Sequence, residues 1–170
     1  MKVTYHHRTL GDGAEGVHIA EIVRALRRLG HEVDVVALVG EPAPDAAPVT
    51  ANPRAAWIDA LRRRVPRALF ELAEMGYGLA AGARLLARTR RARPDFIYER
   101  YGLANLAGAL ASRALGVPLL LEVNAPIALE RAEHEGGVSF PRALARLERA
   151  AFAAADRCLV VSTPLARHLE

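Results

Sequence analysis

Cysteine, tryptophan and methionine are nearly missing from this chain. Its 170 residues include one Cys, one Trp and two Met, and aromatic residues make up 5%. The lone thiol, Cys158, excludes an internal disulfide framework and a cysteine-based metal site within the chain, and it fits a reducing cytoplasm. Scarce aromatics speak against a nucleic-acid surface, which interleaves rings with basic side chains. No run reaches the ~18 uninterrupted apolar residues of a membrane span. At the start, a short strand and His6-His7-Arg8 follow Met1, without the charged-then-apolar order of a secretion signal. The expected location is cytoplasmic, at most peripheral to the inner face of the cell membrane. His6, His7, His18, His31, His134 and His168 show no HExxH-type spacing, so no zinc site is expected. A GxSxG nucleophile elbow is also missing.

What is present is ample apolar and basic material. Hydrophobic residues account for 52% and charged residues for 25%, which fits one globular domain with a sizeable core. Alanine and leucine dominate, so helix should too. The net charge of +4 and pI of about 9.8 would suit phosphorylated substrates or an anionic membrane. They equally fit arginine usage in an alanine- and arginine-rich genome.

Strands alternate with helices along the chain. Lys2–His6 reads as a strand and Val17–Leu29 as an amphipathic helix stopped by Gly30. Glu32–Val39 is a β-branched run that suits a strand buried on both faces. Gly40–Pro53 reads as a Pro/Ala-rich loop. Arg54–Arg93 is helical by composition, interrupted at Pro66 and loosened at Gly76, Gly78 and Gly82. Strand Asp95–Glu99, helix Leu103–Leu115, strand Pro118–Val123, helix Pro141–Ala155, strand Arg157–Ser162 and a helix from Thr163 complete the order. Ser162 or Thr163 is placed to cap that last helix. This alternation predicts a doubly wound α/β domain, a parallel sheet with helices on both faces. The chain stops about two turns into its last helix, so it is expected to be the front half of something longer.

Between the first strand and first helix lies GDGAEG, from Gly11 to Gly16. Its Gly11-x-Gly13-x-x-Gly16 spacing invites a dinucleotide-binding reading. That motif needs the strand to run almost straight into the first glycine, and here Arg8, Thr9 and Leu10 intervene. It also needs an acid at the end of the second strand for the ribose hydroxyls. The expected position, near Ala37, carries none, and Glu41 lies beyond the strand. A looser phosphate or substrate loop fits better, with His7 and Arg8 entering a cleft at the carboxyl edge of the sheet and Gly13 and Gly16 allowing close backbone approach. Alternatively, the glycines only relieve a tight turn.

Taken together, the segments GAEGVHI, LRRLGHEVDVV, PDFIYERYGLAN, GVPLLLEVNAP and ADRCLVVSTPLARHL resemble the N-terminal domain of retaining GT-B glycosyltransferases of the group 1 or family 4 type. The resemblance runs from Lys2 to Glu170. It implies the N-terminal half of a GT-B fold, a Rossmann-like domain (residues 1–170) that binds the acceptor. A C-terminal domain, outside this chain, would bind a nucleotide-sugar donor and carry an acidic pair. Transfer would retain the anomeric configuration without a cofactor or catalytic metal, and the 170 residues alone would be inactive. The loop with Gly13, Glu15 and Gly16 would then lie near the donor diphosphate. Asn124 falls where many relatives have a histidine that contacts the reacting sugar. Asparagine can hydrogen-bond a hydroxyl but cannot act as a general acid or base, so no catalytic residue is assigned.

The other acceptor candidates come from strand ends. Arg100 could grip an anionic group and Tyr101 could stack on a sugar face; both could also be a half-solvated pair at a helix start. Glu122, inside an apolar strand, must be paired or at the cleft. Glu130 lies in the following loop. Arg62, Arg63, Arg64 and Arg67, with Trp57, Leu61, Leu69 and Phe70, make a basic amphipathic stretch. It is either a contact for an anionic membrane holding a lipid-linked acceptor or a solvated helix face.

Overall fold

The structure is a computed structural model in which residues 1–9, 13–37, 60–61, 64–125, 127, 131 and 137–169 are described. Gly11, Glu41, Trp57, Arg62, Arg63, Glu130, His134 and the Gly40–Pro53 loop lie outside these residues. Among the described residues, five strands form one parallel sheet: β1 (Lys2–His7), β2 (Glu32–Ala37), β3 (Phe96–Arg100), β4 (Leu119–Val123) and β5 (Arg157–Val160). Their spatial order is β2-β1-β3-β4-β5. The helices are α1 (Gly13–Arg28), α2 (Arg67–Ala92), α3 (Ala107–Leu115), α4 (Pro141–Ala154) and α5 (Thr163–Leu169).

Alternation along the strands explains the layers. Val3, Tyr5 and Val33 face α1 and pack on Ile19 and Val23. Val36, Ile97 and Leu119 face the other way, onto Ala81 and Leu85 of α2 and Ala107 and Ala111 of α3. Leu121 and Val123 continue that core toward Ala151 of α4. The chain leaves β1 for β2 on one side and returns to β3 on the other. A crevice therefore opens at the carboxyl ends of β1 and β3, the switch point where open α/β sheets bind ligands.

Three local differences from the sequence reading affect the site. Helix α1 starts at Gly13 (φ 60°) rather than Val17, so Glu15 and buried Gly16 belong to its first turn. A carboxylate there is favoured by the helix dipole. Helix α2 runs unbroken through Gly76, Gly78 and Gly82. Two of these glycines serve close packing: a Cβ at Gly78 would lie 2.7 Å from the Ala104 carbonyl oxygen, and one at Gly82 would lie 3.7 Å from Ala107 Cα. Helix α3 starts at Ala107 rather than Leu103 because the chain first makes a turn with Ala104 at φ 57°.

Buried carboxylates cap two helices on the α2–α4 side. Glu99 Oε1 accepts from His6 Nδ1 (2.6 Å), from Asn105 Nδ2 (2.8 Å) and from the Gly108 N–H (3.1 Å) at the start of α3. On α2, Glu71 accepts from the Ser139 and Phe140 N–H groups (2.8 and 3.0 Å), where α4 begins. At the last helix, the Leu165 N–H donates to Ser162 Oγ (3.3 Å), the expected cap. Among the described residues, no helix is long and apolar enough to cross a membrane.

Candidate functional site

At the β1/β3 switch point lies a cleft of about 370 Å³, lined by residues that include Arg8, Glu15, Glu74, Arg100, Asn124 and Arg131. Pleating decides which side chains arrive. In β3, Glu99 turns toward α3 while the next residue, Arg100, turns toward α1. Register places Glu122 of β4 beside Arg100, so a cation and an anion from adjacent strands meet on one face.

Glu122 is the centre of the polar cluster. It is 3% exposed. Its Oε1 accepts from Arg100 Nη1 (2.8 Å), from His18 Nε2 (2.8 Å) and from Asn124 Nδ2. Its Oε2 accepts from the Tyr98 hydroxyl (3.0 Å). Four donors around one buried carboxylate supply the compensation that burial of an inward charge requires. Tyr98 stacks on Tyr5 with centroids 5.1 Å apart. Burial, reinforced by the Glu122 charge, pushes both phenols well above the usual tyrosine range. The second guanidinium nitrogen of Arg100 lies 3.5 Å from Glu15, so α1, β3 and β4 are joined through one arginine.

A second charge cluster forms the opposite wall. Arg131 donates twice to Glu74 (2.6 and 3.0 Å). Arg8 donates to the Leu103 carbonyl oxygen (2.8 Å), lies 3.5 Å from Glu74 and sits 5.2 Å from the Tyr77 ring centroid. Burial lowers the Arg8 pKa from its ordinary value, and Glu74 opposes that shift. Three guanidinium groups, of Arg8, Arg100 and Arg131, thus line the cleft with two carboxylates, of Glu15 and Glu74, and Glu122 lies beneath.

Several sequence candidates take other positions. His7 does not line the cleft: its side chain is fully buried, with Nδ1 3.4 Å from Thr9 Oγ1. Tyr101 lines the cleft, but its ring is 6% exposed and packs on Phe152, and its hydroxyl donates to Glu148 (2.8 Å). The ring face expected to stack on a sugar is therefore taken up inside the protein. Arg8, Arg100, Asn124 and Glu15 do come together at the cleft. Gly13 and Gly16 sit in the first turn above it, and Glu122 lies beneath. Of the basic stretch, Arg64 and Arg67 are exposed. His18, Glu74 and Arg131 were not singled out from the sequence. For His18 a signal existed, since it follows Glu15 by three positions and shares its helix side. The Glu74–Arg131 pair spans 57 positions and has no local signature.

His7 makes the fold acid-sensitive. Burial first, and the neighbouring His6 second, hold it down to about 4 from its ordinary 6.5. Below pH 6.5 the unfolded chain takes up a proton here that the folded chain refuses, so stability is full above that pH and falls as the pH drops toward 4. The loss attributable to His7 should reach about 3 kcal/mol. Urea unfolding across this range measures it, and His7→Gln should flatten the slope.

One solved structure shares this architecture. S. aureus MnaA, in a structure with UDP, aligns with a TM-score of 0.57 and 17% identity over 99% of this chain and 40% of its own. SsfS6, a glycosyltransferase of Streptomyces sp. SF2575, aligns at 22% identity and a TM-score of 0.44, over 72% of this chain and 39% of its own. MurG of Acinetobacter baumannii aligns at 17% identity and 0.46, over 94% and 45%. The chain thus spans less than half the length of each of these structures. No curated protein sequence matches it. The family profile described as "Glycosyl transferase 4-like domain" matches residues 13–170, and the chain belongs to that family.

Proposed function

We propose that this chain is the acceptor-side domain of a glycosyltransferase that takes its sugar from a nucleotide-sugar donor and transfers it with retention. The observation that carries the reading is the cleft at the β1/β3 switch point, where Arg100, Glu15 and Asn124 meet above Glu122. Carboxylates, guanidinium groups and an amide in one concave site suit sugar hydroxyls, which both donate and accept.

Each group then has a task. Glu122 holds Arg100, Asn124 and His18 in place. Arg100, Glu15 and Asn124 bind acceptor hydroxyls. His18 donates through Nε2 to Glu122 and helps to fix that carboxylate beneath the cleft. The first turn of α1, at Gly13, Glu15 and Gly16, faces the donor diphosphate, where backbone N–H groups and the helix dipole stabilise a leaving anion. The donor itself is bound chiefly by a second domain, and the 170 residues alone transfer no sugar.

The test is a calorimetric titration of nucleotide sugars into this chain and into a longer protein that adds a donor-binding half. Donor-selective binding should need the longer form. In that form, Arg100→Ala should weaken acceptor binding by about tenfold, or ~1.4 kcal/mol, with little change for the donor. Tight, donor-selective binding by the short chain would contradict this division of labour. A dinucleotide reading has less support, because β2 ends at buried Ala37 with no acid to hold a ribose.

A further inference from the structure

Glu74 holds two arginines of the cleft at once. Its carboxylate, on α2, accepts twice from Arg131 (2.6 and 3.0 Å), and Arg8 Nη2 lies 3.5 Å from it. Arg8 follows β1 and Arg131 follows β4, so three separate parts of the chain meet at one carboxylate. The side chains of Arg8, Arg131 and Glu74 are 15%, 19% and 17% exposed, so solvent screens their charges only in part.

Arg100 is balanced in the same way, between Glu122 at 2.8 Å and Glu15 at 3.5 Å. Among the described residues, no other charged side chain lines the cleft. With Glu122 beneath, each guanidinium charge has a carboxylate to meet it. This balance bears on what the cleft can take. A phosphate or carboxylate ligand needs guanidinium groups that can turn to it as a charged fork. Here it would have to displace Glu74 from Arg131 and Arg8, or lie beside that carboxylate and be repelled by it. An uncharged hydroxyl meets no such repulsion. It accepts from guanidinium N–H groups left over from the ion pairs and donates to a free carboxylate lone pair.

We infer that Glu74 sets the charge preference of the cleft: by holding Arg8 and Arg131 it withholds them from anions, and the site takes an uncharged, hydroxylated ligand. That such a ligand is a sugar acceptor rests on the function proposed above; the exclusion of anions does not.

The experiment is amide NMR of the isotope-labelled 170-residue chain at low salt, titrated separately with inorganic phosphate and with methyl glucoside, for the wild type and for Glu74→Gln. Glutamine keeps the shape and one acceptor oxygen but drops the charge. Phosphate should leave Arg8, Gly102 and Asn124 unmoved in the wild type. In Glu74→Gln it should shift them, with an affinity at least about tenfold higher. The gain should fade as salt rises and shrink when Arg131→Gln is added. Glu21→Gln, which removes the partner of Arg24 on the exposed side of α1, should create no phosphate binding. Circular dichroism checks that each variant is folded. A clamp that merely ties Arg131 to α2 would lose stability in Glu74→Gln without gaining phosphate binding, and that result would overturn the inference. So would cleft shifts on adding phosphate to the wild type, an outcome that needs no variant to fold. If methyl glucoside moves nothing at the cleft while Glu74→Gln gains phosphate, the acceptor reading falls and the anion exclusion stands.

Discussion

Glu122→Ala should destabilise the domain by about 3–5 kcal/mol, the range for removing one partner of a buried ion pair. Arg100 is 8% exposed and would keep its charge with only Glu15, 3.5 Å away, as counterion. The Tyr98 hydroxyl, the Asn124 amide and His18 Nε2 would lose their acceptor in the same step. A neutral isostere separates charge from shape. Glu122→Gln keeps one acceptor oxygen but no charge, and its cost should be smaller, about 1–3 kcal/mol. Urea unfolding with an unchanged m-value measures both variants. A loss below about 1 kcal/mol for Glu122→Ala would mean that the cluster is solvated and is not a fixed floor beneath the cleft.

Gly108→Ala should be of similar severity for a different reason. The added Cβ would run into the Glu99 carboxylate, with Glu99 Cδ at 2.8 Å and Leu119 Cδ1 at 3.0 Å. Glu99 cannot easily withdraw, because His6, Asn105 and the Gly108 N–H hold it in place. Overpacking a core costs about 1–3 kcal/mol. Stranding buried donors adds about 1–3 kcal/mol more, so a total near 4 kcal/mol is expected, read as a lower urea midpoint. Gly116→Ala, where a Cβ would meet open space but φ is 64°, should cost only about 1 kcal/mol. Equal losses at the two glycines would show that backbone conformation, not the clash, dominates at Gly108.

The two predictions show what local pattern reveals and what it omits. Strand positions were legible because β-branched and apolar runs such as EVDVV and PLLLEV are bounded by glycine and proline. Their alternation with helices was enough for the doubly wound sheet. Glu122 stood out as a carboxylate in an apolar strand, and burial with a partner was one of two outcomes foreseen. Its partners were not all legible, since His18 lies 104 positions away and only the packing of α1 on the sheet brings them together. Tyr101 reaches the cleft as its strand-end position suggests, but local sequence does not reveal that Phe152 packs on its ring and Glu148 takes its hydroxyl. Gly78 and Gly82 read as points that loosen the helix because propensity has no term for a closely packed neighbour, the contact that calls for glycine there.

On the proposed function, this domain binds its sugar acceptor in the cleft above the Arg100–Glu122 pair. Amide NMR of the isotope-labelled chain, titrated with a panel of simple glycosides, tests it most directly. The account predicts shifts confined to Arg8, Glu15, Arg100, Gly102, Asn124 and Ala125, all at the cleft, and their loss in Arg100→Ala. Shifts gathered instead in the groove between α3 and α4, around Leu110 and Ala153, or shifts that persist in Arg100→Ala, would contradict it.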